Sequence, residues 1–173
     1  PASETHRWWA GDLPLLVTNF GCRGMQLWVP DREGTPRDVV LGYNRIEEYL
    51  DNRGERFLGA VCGRFANRIA GGRFRIGEHT YQLPTNDNGQ TLHGGVKGLD
   101  SVVWEIRERS QHRICFHYLS EEGEEGFPGN LSIDVCYELT PDNSFLSDYR
   151  ATTDRPTRVN LTHPTFCNHL SQG

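Results

Sequence analysis

The chain has 173 residues, enough for one domain with its own core and short for two, so residues 1–173 read as a single domain. Lys and Arg (18) against Asp and Glu (23) leave a net charge of −5 with no basic cluster, which argues against nucleic acid and anionic membrane as partners. No run approaches the roughly 20 apolar residues of a membrane helix, and the N-terminus PASETHRWWAGDLP lacks a charged-then-apolar leader.

In chain order, strand signals dominate. LLVTNF (15–20) and MQLWV (25–29) are the first strand candidates, and IEEYLDN (46–52) is the only helical one, barely two turns long. GRFANRIAGGRF (63–74) contains neither G-x-x-x-x-G-K-[ST] nor G-x-G-x-x-G, so it is not a nucleotide phosphate loop. It sets Asn67 and Arg68 between turn glycines, where an amide and a guanidinium fork can reach ligand hydroxyls. An exposed surface arginine fits the same residues. RFRIGEHTYQL reads as a hairpin turning at Gly77-Glu78-His79. In TLHGG (91–95), His93 precedes two glycines, so backbone can come close to whatever its imidazole faces; a structural histidine is the plainer reading.

VWEIRE (103–108), ICFHYL (114–119) and FLSDYRA (145–151) are further strands. The acidic EEGEEGFPGNL (121–131) lacks the D-x-D-x-D-G order of a calcium loop and reads as a solvated turn. LSIDVCYEL alternates strictly, placing Leu131, Ile133, Val135, Tyr137 and Leu139 on one face. From Arg158 onward the chain reads as a strand entering further protein. His163, Cys167 and His169 lack a further ligand pair, so no metal is expected. The five cysteines are odd in number, widely spaced and free of C-x-x-C, which favours reduced thiols in a cytoplasmic protein. Many short strands separated by Gly and Pro define an all-β class, a sandwich or barrel.

The ordered set GRFANRIAGGRF, YQLPTNDNGQTLHGG (81–95), GLDSVVW (98–104), GEEGFPGNL (123–131) and YRATTDRPTRVNLT (149–162) resembles the aldose 1-epimerase, or galactose mutarotase, family. The resemblance implies a large antiparallel β-sandwich, present here as a partial chain, that interconverts the α and β anomers of aldoses such as galactose and glucose. It implies no cofactor, a small aldose as partner, and a monomer or homodimer.

Asn67 and Arg68 match the family's Asn-Arg pair, which looks like the part that binds sugar hydroxyls. His93 matches a histidine that holds the substrate and supports charge near the ring oxygen. The family's second histidine, the acid, lies in N-L-T-N-H-x-Y-F-N; aligned without gaps, VNLTHPTFCNH puts Pro164 there, and a shift of one residue restores His163. His169 is a weaker candidate. The family's base glutamate and a sugar-binding aspartate lie in a C-terminal half that no carboxylate here matches, so this chain alone is expected to be inactive. Two other readings are a hexose-6-phosphate epimerase, with Arg64, Arg68 and Arg73 available to a phosphate, and a non-catalytic sugar-binding module.

Overall fold

The computed structural model describes residue 3 and residues 5–10, 13–51, 54–163, 165 and 167, residues 5–10 by their backbone. β1 (Thr5–Ala10), β2 (Leu13–Thr18), β3 (Arg23–Pro30) and β4 (Pro36–Asp38) form one sheet in that order. The helix α1 (Ile46–Leu50) is followed by β5 (Arg68–Ile69), the hairpin β6 (Arg73–Ile76) and β7 (His79–Gln82), and β8 (Thr91–Leu92), which pairs back onto β5. β9 (Glu105–Arg109), β10 (Arg113–Ser120), β11 (Leu131–Leu139) and β12 (Phe145–Thr153) form a second four-stranded sheet, ordered β12-β11-β10-β9. The described strand ladders are antiparallel, as the expected all-β class requires.

The two large sheets share one core. Leu15 and Val17 of β2 meet Ile114 and Phe116 of β10 and the inward residues of β11, around a fully buried Trp104. β11 buries Leu131, Ile133, Val135, Tyr137 and Leu139, the five positions its alternation puts on one face. Removing a side chain of this size from water contributes about 1.5–3 kcal/mol. The polar tips are also anchored. The Tyr137 hydroxyl donates to the Cys22 carbonyl at 2.6 Å, and the Trp104 indole N–H donates to the Leu99 carbonyl at 3.1 Å. A bridge between Phe20 and Val103 joins the β2–β3 connection to the residues leading into β9.

Several sequence expectations change. The hairpin turn is two residues long, because His79 already pairs with Ile76. Cys115 and Cys136 face each other across β10 and β11 and form a disulfide, so the reduced-thiol expectation fails for this pair; Cys22, Cys62 and Cys167 are free. The segment after Arg158 is extended, but it docks on the GRFAN loop. Cys62 and Thr162 exchange backbone hydrogen bonds, the Ala66 N–H donates to the Asn160 carbonyl, and the Asn160 N–H donates to the Arg64 carbonyl. No helix of the described residues is long and apolar enough to cross a membrane.

Candidate functional site

The site begins with the short β5–β8 ladder. It pairs Arg68 with Leu92 and Ile69 with Thr91, so the residues just beyond it, Asn67 and His93, come face to face. They bond reciprocally. The His93 N–H donates to the Asn67 carbonyl at 3.0 Å, and the Asn67 N–H donates to His93 Nδ1 at 3.1 Å. Both residues have left-handed backbone, with φ of 64° at Asn67 and 50° at His93. Asparagine and histidine enter that region more readily than most side chains, and the surroundings must still hold them there.

Because Nδ1 accepts the Asn67 hydrogen bond, the neutral imidazole of His93 carries its own hydrogen on Nε2. Burial lowers the His93 pKa below its ordinary value, and the nearby Arg68 charge lowers it further against the opposing pull of Asp100. At neutral pH, His93 is therefore a neutral Nε2–H donor. Its ring packs on Phe57 with centroids 4.6 Å apart.

Arg68 is exposed beside it. Its Nε donates to Asp87 Oδ2 at 2.7 Å, and a second nitrogen reaches Asn67 Oδ1 at 3.4 Å. The sequence marks Asp87 only through the turn that follows it. Asn88-Gly89 is an adjacent pair of left-handed formers, with φ of 47° and 79°, closing a tight turn in which Asp87 pairs with Gln90. That turn presents the carboxylate to Arg68 and orients the guanidinium.

Arg64, four residues earlier in the same motif, has a different fate. It is 2% exposed, and its five N–H donors meet five acceptors: the Ser120 hydroxyl and the carbonyls of Ser120, Glu121, Pro128 and Gly129. Burial lowers its pKa, opposed by the charge of Glu124. Its availability to a phosphate is therefore withdrawn: Arg64 is a structural tie.

The acidic turn is likewise not simply solvated. The Glu124 carboxylate accepts from the Tyr118 and Ser120 hydroxyls. That of Glu125 accepts the backbone N–H groups of Val96 at 2.7 Å and Lys97 at 3.1 Å.

His163 lies among other partners. Its ring packs 5.3 Å from that of Tyr137, its Nδ1 is 2.6 Å from the Thr165 hydroxyl, and its buried Nε2 has no hydrogen-bond partner among the described residues. Burial pushes its pKa down to about 4; the Gly59 and Cys22 carbonyls favour the charged form without aligning on Nε2. It lines a largely apolar cavity of about 500 Å³ with Leu15, Leu27, Val40, Tyr149 and Leu161, where Ser147, Thr162 and Thr165 add hydroxyls. The structure thus brings Asn67, Arg68 and His93 together and gives His163 separate contacts. Pro164 and His169 lie outside the described residues.

This two-layer architecture is shared with solved aldose epimerases. It matches the GalM/aldose epimerase homologue from C. elegans with a TM-score of 0.91 at 29% identity, covering 96% of this chain and 51% of that one. It matches galactose 1-epimerase from Lactobacillus acidophilus NCFM with a TM-score of 0.77 at 26% identity, covering 95% and 52%. In sequence it is 41% identical over 161 residues to galactose mutarotase of Mus musculus, covering 93% of this chain and 46% of that protein. To aldose 1-epimerase of Escherichia coli (strain K12) it is 37% identical over 154 residues, covering 89% and 44%. The aldose 1-epimerase family pattern matches residues 11–170, and the chain belongs to that family. It spans a little under half the length of these two relatives.

Proposed function

We propose that this chain supplies the substrate platform of an aldose 1-epimerase, which interconverts the α and β anomers of hexoses such as galactose and glucose. The observation that carries the reading is the Asn67–His93 exchange, which leaves a neutral Nε2–H donor beside the Arg68 guanidinium. Anomer exchange requires the pyranose ring to open. A base takes the C1 hydroxyl proton, the C1–O5 bond breaks, and O5 gathers charge until it is protonated; rotation about C1–C2 and the reverse transfers give the other anomer. Asn67 and Arg68 hold sugar hydroxyls, while the His93 Nε2–H stabilises the charge developing on O5. These steps are proton transfers and need no electron carrier.

No carboxylate of this chain takes the base's part in the proposal; that group belongs to the stretch of the family's length that the chain does not span. His163, the acid that the resemblance implies, is the other candidate for protonating O5. Its packing against Tyr137 in a largely apolar lining favours His93 as the donor, and retained kcat in a folded His163→Gln variant would support that choice. The bound state of Arg64 disfavours a phosphorylated sugar. A cytoplasmic location is part of the proposal, supported by the free Cys22 and Cys62 and opposed by the Cys115–Cys136 bond.

Polarimetry of freshly dissolved α-galactose with the complete polypeptide tests the activity. Equilibration faster than in buffer supports the proposal; an unchanged rate overturns it.

A further inference from the structure

The loop that carries His93 has an unusual backbone. His93, Gly94 and Gly95 have successive φ values of 50°, 95° and 119°, a left-handed run that L side chains rarely adopt. Such a run does not hold itself; something outside it must fix both ends.

Asn86 spans the run from Leu92 to Gly95. Its amide oxygen accepts the Leu92 N–H at 2.7 Å, and its amide nitrogen donates to the carbonyls of Leu92 at 3.0 Å and Gly95 at 2.8 Å. The C-terminal end is held by Glu125, whose two oxygens each take one amide, from Val96 and Lys97. Charge-assisted bonds of this kind are about twice as strong as neutral ones. The fit is close: a β-carbon on Gly95 would collide with the Glu125 carboxylate.

Glu125 is itself anchored to the sheet. Its neighbour Glu124 is fastened to Tyr118 and Ser120 at the end of β10, Ser120 is tied to the buried Arg64, and Phe127 is 1% exposed in the core. The carboxylate is thus an arm reaching from the β10–β11 connection to the loop that aims His93.

We infer that Glu125 is a positioning residue for the site: by binding the Val96 and Lys97 amides it fixes the His93-Gly94-Gly95 turn and thereby the direction of the His93 imidazole. Glu125 touches no reacting atom; it acts through His93. The inference rests on the proposed mutarotase reading for its kinetic consequence, and on geometry alone for its structural one.

Glu125→Gln keeps the size of the side chain but sets an NH2 group against one of the two amide N–H donors. In the complete polypeptide, this variant should lower kcat for galactose anomerisation about 10²-fold, the scale of a 1 Å misplacement, with KM little changed. Its melting temperature should move only by the few degrees that one weakened hydrogen bond costs.

The decisive comparison is a double-mutant cycle. In a His93→Ala background, Glu125→Gln should cost nothing further. An equal loss in both backgrounds would overturn the inference, as would a loss of activity that simply follows a large fall in melting temperature. If Glu125→Gln does not fold, Glu125→Asp carries the same comparison, since it keeps the charge while reaching one amide. If the parent polypeptide shows no anomerase activity, the functional reading fails by itself, and the imidazole NMR resonances of His93 decide the positioning claim. They shift in Glu125→Gln if it is right and stay in place if it is wrong.

Discussion

At the scale of single residues, the site depends on which protonation state each histidine is built to keep. His93 is held neutral by partial burial and the Arg68 charge, and its tautomer is set by a backbone amide. His163 is held neutral more strongly, at a pKa of about 4. Its ordinary pKa is about 6.5, so between these values the unfolded chain binds a proton that the folded chain refuses. Stability from this residue is therefore complete above pH of about 6.5 and falls as pH drops toward about 4. Urea midpoints measured across that window should decline with falling pH, and His163→Gln should flatten the decline; parallel slopes for the two proteins would contradict the assignment. The pairing of Asn67 with His93 joins residues 26 positions apart. No local spacing records such a contact, which is why the motifs could name both residues without revealing the tautomer.

At the scale of elements, the motif GRFANR divides its two arginines between core and surface. Arg64 gives all five donors to carbonyls and a hydroxyl at the Ser120–Glu121 and Pro128–Gly129 turns, whereas Arg68 stays in solvent beside Asp87. Lysine offers three donors, so Arg64→Lys leaves at least two buried acceptors unpaired at about 1–3 kcal/mol each. A loss of about 2–6 kcal/mol, read from urea unfolding, is expected on that count; a loss under about 1 kcal/mol would show the network to be dispensable.

The elements differed in how much of them the sequence displayed. β11 was legible because nine residues alternate without a break and one face is buried. β5 and β8 are two residues each, too short for any period to register, yet they align the site. Glu125 was hidden for another reason. Its partners are main-chain amides, which leave no trace in side-chain identity, so its charge run read as solvent-facing. Cys115 and Cys136 sit in two strands whose register pairs them, and spacing alone does not fix a disulfide's connectivity.

At the scale of the whole molecule, two four-stranded sheets share a core through β2, β10 and β11, and the connections from Gly63 to Gly98 and from Glu121 to Asn130 build the site outside it. Arg64 and Glu125 cross between these connections, so the proposed sugar platform inherits its rigidity from the sheets. In the proposed function this platform offers an aldose a neutral His93 with its proton on Nε2. The most direct measurement is the imidazole nitrogen NMR spectrum of His93 in the complete polypeptide at neutral pH, recorded as galactose is added. An unprotonated Nδ1, a protonated Nε2, and a saturable shift of the Nε2 signal on titration are expected. A proton on Nδ1, or a His93 spectrum indifferent to the sugar, would contradict it.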